Sequence, residues 1–330
     1  MSKAAARIVI LTFSLLVSYA VAEVAIRLIS RDSLRILDVE MWRYAKLIKT
    51  ESDLPGLVED QQHNAEAFLM GARVRTDARG LRLPDPATET ARRPDDRKVI
   101  ALGDSLTFGW GVPEGQTFAD HLERLLATQC PAQGGPRSTV LNAGIGNSNT
   151  SMETARYRTL LRPIHPRWLI LGYFINDAEP DPVPSGNILV RHSALAGLLS
   201  TRLLQTREVK LRDYRTYYSG LYEDGKPGWE RAKAALRELG ETLRADGTPA
   251  TLILLPELHE PKDFGTFAAI YNKVAALGRE DGFEVVDPSG AFPPGPGNGF
   301  WVSSEDAHPD GKAQRLFAEA LTRSKFACRP

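Results

Sequence analysis

The stretch Val99-Ile100-Ala101-Leu102-Gly103-Asp104-Ser105-Leu106-Thr107 decides how the chain folds. A short apolar run stops at Gly-Asp-Ser, and Phe118 to Leu126 then carries apolar residues at helical spacing, which places the serine on a strand-to-helix turn. Such a turn presents a hydroxyl at the carboxyl edge of a sheet, where open α/β folds hold ligands. A simpler role fits the tripeptide equally well, because Asp104 and Ser105 are both good helix caps.

Downstream, strands and helices alternate. Apolar runs at Val99 to Leu102, Val140 to Leu141, Trp168 to Tyr173, Thr251 to Leu255 and Phe283 to Val286 are separated by helical stretches near 117–129, 151–161, 229–245, 264–281 and 311–326. The pattern predicts an α/β fold, a three-layer α/β/α sandwich around a five-stranded parallel sheet, over residues 97–330. One segment breaks the rhythm. Residues 179 to about 227 hold Pro180, Pro182 and Pro184, apolar positions at 195, 198, 199, 203 and 204, and then Tyr214, Tyr217, Tyr218 and Tyr222. That is too long for an ordinary connection. It reads as an insertion at the ligand edge, either a lid or glycan-binding wall, since tyrosines stack on sugar rings, or helices that only cover the core.

Upstream, residues 31–96 lack this alternation and read as a connector that packs on the core and holds it off a membrane. Ser33 to Thr50 is expected to be helical, with Leu37, Met41, Tyr44 and Leu47 on one side. Pro55 to Pro94 is rich in turn formers, with short strands expected at Ala72–Val74 and Leu81–Leu83. At the amino terminus, Lys3 and Arg7 precede an uncharged run from Ile8 to Ala22, and Val24 to Ile29 continues it around Glu23 and Arg27. Residues 1–30 read as an uncleaved membrane helix with Glu23 and Arg27 near the outer interface. Basic residues before the span leave the remainder facing the periplasm or cell exterior. The alternative is secretion after cleavage at Ala20-Val21-Ala22, a small-x-small signal site.

Export gives the two cysteines a meaning. Cys130 follows the helix after the Ser105 turn, and Cys328 ends the last helix. If both helices start at one sheet edge and pack on one face, their far ends meet, and an oxidising compartment predicts a disulfide. Lys plus Arg equals Asp plus Glu, 41 each, so no global field points to nucleic acid. Nothing in the sequence sets an oligomeric state.

A serine nucleophile needs a base, a group that orients the base, and donors for the oxyanion. Candidates stand at the ends of other elements: Asn142-Ala143-Gly144-Ile145-Gly146 after the second strand, Gly172-Tyr173-Phe174-Ile175-Asn176-Asp177 after the third, and Glu305-Asp306-Ala307-His308-Pro309 before the last helix. An α/β-hydrolase elbow is disfavoured, because Gly-x-Ser-x-Gly needs glycine where Thr107 stands. Metal catalysis is disfavoured as well, since histidines 63, 121, 165, 192 and 259 show no zinc-site spacing, and no cofactor is expected. His259 with Glu257, after the fourth strand, lines the pocket or is structural.

These blocks resemble the SGNH hydrolases, the GDSL-type esterase and lipase superfamily, with a flavodoxin-like sheet. Gly103-Asp104-Ser105-Leu106 is similar to the nucleophile block, Asn142-Ala143-Gly144 to the glycine block, Gly172 to Asp177 to the Gly-x-Asn-Asp region, and Asp306 to His308 to the acid-and-base block. Three residues separate Gly172 from Asn176 where many members have one. The resemblance implies that Ser105 attacks an ester carbonyl, that His308 is the base, and that the Ser105 and Gly144 amides with the Asn176 side chain form the oxyanion hole. Many members space the acid as Asp-x-x-His, which puts Glu305 at that position. Asp306 fits the shorter Asp-x-His spacing of relatives that move acetyl groups on bacterial polysaccharides, and is the expected acid. The expected activity is a serine esterase removing acyl groups, chiefly acetyl, from envelope or exported carbohydrate or from small esters. The alternatives are a polysaccharide O-acetyltransferase and a catalytically silent glycan-binding or scaffold subunit.

Overall fold

The computed structural model describes residues 2–32, 37–130, 136–182, 188–200 and 214–328. Helix α1 (Lys3–Asp32) is followed by α2 (Leu37–Leu47) and two antiparallel hairpins, β1 (Lys49–Glu51) with β2 (Glu59–Gln61) and β3 (Glu66–Leu69) with β4 (Ala72–Arg75). After α3 (Pro86–Ala91), strand β5 (Arg97–Gly103) enters the short helix α4 (Ser105–Phe108) and then α5 (Phe118–Gln129). Next come β6 (Ser138–Gly144), α6 (Thr150–Arg156) and β7 (Trp168–Tyr173). The insertion contributes α7 (Ile188–His192), α8 (194–200) and α9 (Tyr214–Leu221). The chain closes with α10 (Pro227–Ala245), β8 (Ala250–Leu254), α11 (Ala268–Glu280), β9 (Glu284–Val286), a hairpin of β10 (Trp301–Ser303) and β11 (Asp306–Pro309), and α12 (Gly311–Leu321).

The expected five strands form one parallel sheet in the order β6-β5-β7-β8-β9. All its carboxyl ends therefore share an edge, and the chain changes direction across the sheet between β5 and β7, where such sheets bind ligands. Side-chain alternation splits the core in two. Val99, Ala101, Trp168, Ile170 and Ile253 point into a layer with Phe118 and Leu122 of α5 and Phe317 and Leu321 of α12. Ile100, Leu102, Leu169, Leu171 and Leu252 meet Leu236 and Leu239 of α10 and Tyr271 and Val274 of α11 on the other face. Helix α5 starts cleanly, because Thr117 and Asp120 satisfy each other's amides in a capping box. It and α12 lie on the same face, and Cys130 at the end of α5 is bridged to Cys328, with Cα atoms 5.2 Å apart.

The connector departs from expectation. The helix expected from Ser33 ends at Leu47, because Lys49 and Thr50 pair with Gln61 and Asp60 in β1; residues 33–36 lie outside the described residues. Its expected apolar side is also divided. Tyr44 is buried, but Met41 and Leu47 are 48% and 42% exposed, and α2 instead buries Val39 and Glu40. Glu40 is held there by accepting the Met70 amide at 2.6 Å and by its ion pair with Arg43. Expected strand Ala72–Val74 is present in β4, while Leu81–Leu83 supplies only bridges, from Arg82 to Thr76 and to Asn142 at the sheet edge. The helix expected at 264–281 begins at Ala268, because Asp263, Phe264 and Gly265 take left-handed conformations. The 151–161 helix passes from α6 into a π turn at Tyr157–Leu161.

Helix α1, from Lys3 to Ile29, is long and apolar enough to cross a membrane and is not buried against the rest of the chain there. Three of its polar side chains, Tyr19, Glu23 and Arg27, reach the insertion. Glu23 accepts the amides of Ala194 and Leu195, both at 2.9 Å, and the Ser193 hydroxyl at 2.7 Å, so it caps α8. Arg27 donates to the His192 carbonyl at 2.9 Å, and the Tyr19 hydroxyl meets Ser193. The insertion is thus fastened to α1; its segment 201–213 lies outside the described residues.

Candidate active site

Strand β5 runs into Ser105 through a backbone that only small residues permit. A Cβ on Gly103 would come within 2.2 Å of the Thr107 hydroxyl, and one on Gly172, its neighbour in β7, within 2.4 Å. Thr107 therefore fills the room that two missing side chains leave, folding α4 back over the strand ends. This gives Gly172, displaced from the usual family spacing, a packing role. Asp104 caps the turn by accepting the Leu106 amide at 2.8 Å, so the cap and the presentation of Ser105 go together.

The β10–β11 hairpin brings the last block back over this turn. His308 Nε2 lies 3.0 Å from Ser105 Oγ, and His308 Nδ1 lies 2.6 Å from Asp306 Oδ1. Asp306 also accepts the His308 amide at 3.1 Å and the Trp110 indole N–H at 2.9 Å. Burial would raise the Asp306 carboxyl, but the hydrogen bonds from His308 and Trp110 outweigh it and hold it below the usual carboxylate range. A charged acid on Nδ1 fixes that nitrogen as the donor, leaving Nε2 to accept the serine proton. Glu305, the competing acid, is exposed and touches neither imidazole nitrogen. Trp110 was not a sequence candidate; an indole five residues after a serine gives no signal of its own.

Asn176 reaches the same cleft. Its side-chain amide donates one N–H to Asp104 Oδ2 at 3.1 Å, leaving a second N–H. Asp104 is fully buried and burial raises its carboxyl. Behind it, burial and the neighbouring acids push Glu153 and Asp177 well above the ordinary range.

Gly144 does not present a free amide to the cleft. Its N–H donates to Asn142 Oδ1 at 3.1 Å, its carbonyl accepts the Gln61 amide at 2.6 Å, and it packs against the backbone of Thr107 and Phe108, away from the cleft. It is a close-approach glycine: a Cβ would sit 2.1 Å from the Phe108 nitrogen. The residue of this loop that lines the cleft beside Ser105 with an uncommitted amide among the described residues is Asn147. It has φ +63°, a conformation asparagine tolerates better than most residues. The neighbouring Gly146 N–H is held by the Tyr44 hydroxyl at 2.8 Å.

Around this centre is a cavity of about 550 Å³. Leu37 and Met41 of α2 form one wall, Tyr214 and Tyr218 of the insertion another, and Glu257 and His259 a third. No group of three or more metal-ligating side chains occurs among the described residues.

The sequence matches the GDSL-like lipase/acylhydrolase family over residues 101–316. The chain belongs to that family and is a carboxylic ester hydrolase. No curated protein matches the sequence significantly. Similar solved structures include a putative lipolytic protein of the G-D-S-L family from Desulfitobacterium hafniense DCB-2, 15% identical, TM-score 0.43, covering 69% of this chain and 99% of that one. A catalytic mutant of an acetylxylan esterase from Geobacillus stearothermophilus is 14% identical, TM-score 0.44, covering 70% and 95%.

If Asp306 orients the imidazole, Asp306→Ala lowers kcat for a chromogenic acetyl ester by about 1,000-fold or more, while Glu305→Ala stays within about threefold of wild type. The reverse ranking of these two kcat values would return the role to Glu305.

Proposed function

We propose that the protein is a serine esterase that removes acetyl groups from carbohydrate by double displacement. Ser105 Oγ loses its proton to His308 Nε2 and attacks the ester carbonyl. The alcohol leaves with that proton, and water, deprotonated by the same imidazole, hydrolyses the acyl-enzyme. Asp306 and Trp110 orient His308. The oxyanion is received by the amides of Ser105 and Asn147 and the second N–H of Asn176, with Gly144 keeping the loop close to α4. The observation that carries this reading is the unbroken path from Ser105 Oγ through His308 to Asp306. Support for carbohydrate comes from Tyr214 and Tyr218, which line the cleft where a sugar ring would lie.

The Asp306-x-His308 spacing favours a second reading of the same site, transfer of the acetyl group to a sugar hydroxyl. The two differ only in what takes the acyl group from Ser105.

The protein is further proposed to keep α1 as an anchor with the catalytic domain outside the cytoplasm. Cleavage after Ala22 would delete Tyr19 and place Glu23, the cap of α8, at a new terminus. The intact mass of protein extracted from membranes is expected to include residues 3–22; a mature chain starting at Glu23 would show a cleaved signal instead.

Asn176→Ala is expected to fold normally and lose about 100- to 1,000-fold in kcat, with Ser105→Ala inactive on 4-nitrophenyl acetate and on acetylated oligosaccharides. Free acetate as the product marks the hydrolase, and acetyl appearing on an added glycan marks the transferase. Unchanged turnover in Ser105→Ala would refute both.

A further inference from the structure

The Asp306–His308 turn has a counterpart in the same cleft that the reaction does not use. Glu257 and His259, just after β8, repeat the acid-x-histidine arrangement: Glu257 Oε2 accepts the His259 amide at 3.0 Å and Oε1 pairs with His259 Nδ1. Glu257 is buried, whereas the His259 side chain is 55% exposed. A histidine present only to fill space would be covered. This one is held rigidly from behind and offered to solvent, with Nε2 as the remaining polar atom.

Its surroundings select a ligand. The Trp301 ring lies 4.7 Å from the imidazole and is fixed by donating its indole N–H to the Leu258 carbonyl at 3.0 Å; Tyr214 lies 5.9 Å away on the other element. Tyr214, Glu257 and His259 line the catalytic cavity and also a second cavity of about 340 Å³, whose wall continues through Arg215, Glu260 and Thr266. The dyad stands where the two spaces join.

We propose that His259, oriented by Glu257 and flanked by Trp301 and Tyr214, is a carbohydrate subsite that receives the next sugar of an oligosaccharide whose acetylated unit sits at Ser105. Tyr214, which lines both cavities, offers a stacking face to the ring C–H groups, Trp301 backs the imidazole, and Nε2 accepts a hydrogen bond from a sugar hydroxyl. The chain of sugars then continues into the second cavity, where Arg215 and Thr266 add polar contacts. The inference rests on the carbohydrate reading of the active site and extends it from a single residue to a polymer.

The test compares 4-nitrophenyl acetate, too small to reach the subsite, with O-acetylated xylotetraose. His259→Ala is expected to lose about tenfold more kcat/KM on the tetrasaccharide than on the small ester, through KM, and His259→Gln, which keeps a hydrogen-bonding side chain, to recover part of it. Equal losses on both substrates would make His259 structural and overturn the subsite. Calorimetry on Ser105→Ala separates the two levels. If that protein binds the acetylated tetrasaccharide and adding His259→Ala leaves the affinity unchanged, the subsite alone is wrong. If Ser105→Ala does not bind it while wild type hydrolyses 4-nitrophenyl acetate, the carbohydrate reading fails and takes the subsite with it.

Discussion

The structure of the active site depends on one steric fit, the side chain of Thr107 seated over Gly103 and Gly172. These glycines face each other across the β5–β7 pair, and the threonine hydroxyl approaches both more closely than any Cβ would allow. Its oxygen makes no hydrogen bond among the described residues, so what holds it is shape. The fit sets the angle at which α4 leaves the sheet, and with it the direction of Ser105. A residue that argued against one kind of nucleophile turn thus proves to be the wedge that builds another.

A second layer of constraint comes from residues before the sheet begins. Arg82 is fully buried and donates to the carbonyls of Phe108, Gly109 and Val112, at 2.7, 2.5 and 2.5 Å; burial pulls its pKa down to about 10, still charged at neutral pH. Arg156 joins the Ala143 carbonyl to Asp60, and Tyr44 and Gln61 hold Gly146 and Gly144. The segment between anchor and sheet therefore clamps two of the loops that form the site. Breaking one such contact leaves buried carbonyls without donors, which is costly in a dry interior.

Much of this was legible in the sequence, for identifiable reasons. Strands buried on both faces read as continuous apolar runs, so β5 to β8 stood out, the half-buried edge strand β9 still carried Val285 and Val286, and polar blocks placed at the strand ends fell on one edge by topology alone. The pairing of Cys130 with Cys328 followed from the same layout. What was hidden depends on distant partners. The division of α2 follows from Glu40 finding the Met70 amide; the spent N–H of Gly144 follows from the Asn142 side chain two residues away; Trp110 matters only because a hairpin some 200 residues later brings Asp306 to it, the two being 196 apart. Asn147 could have been suspected from an Asn-Ser-Asn turn after a strand, but its left-handed backbone, and so its place in the cleft, is a property of the loop and not of its composition.

The central claim is that Ser105, His308, Asn176 and the amide of Asn147 act on one reacting centre. A crystal structure of the protein inactivated by a serine-reactive phosphonate tests it most directly. The account predicts phosphorus on Ser105 Oγ, with the phosphoryl oxygen within hydrogen-bond reach of the Ser105 and Asn147 amides and the Asn176 side chain, and the Gly144 N–H still on Asn142. A phosphoryl oxygen turned away from these donors, or an adduct on any other residue, would contradict it.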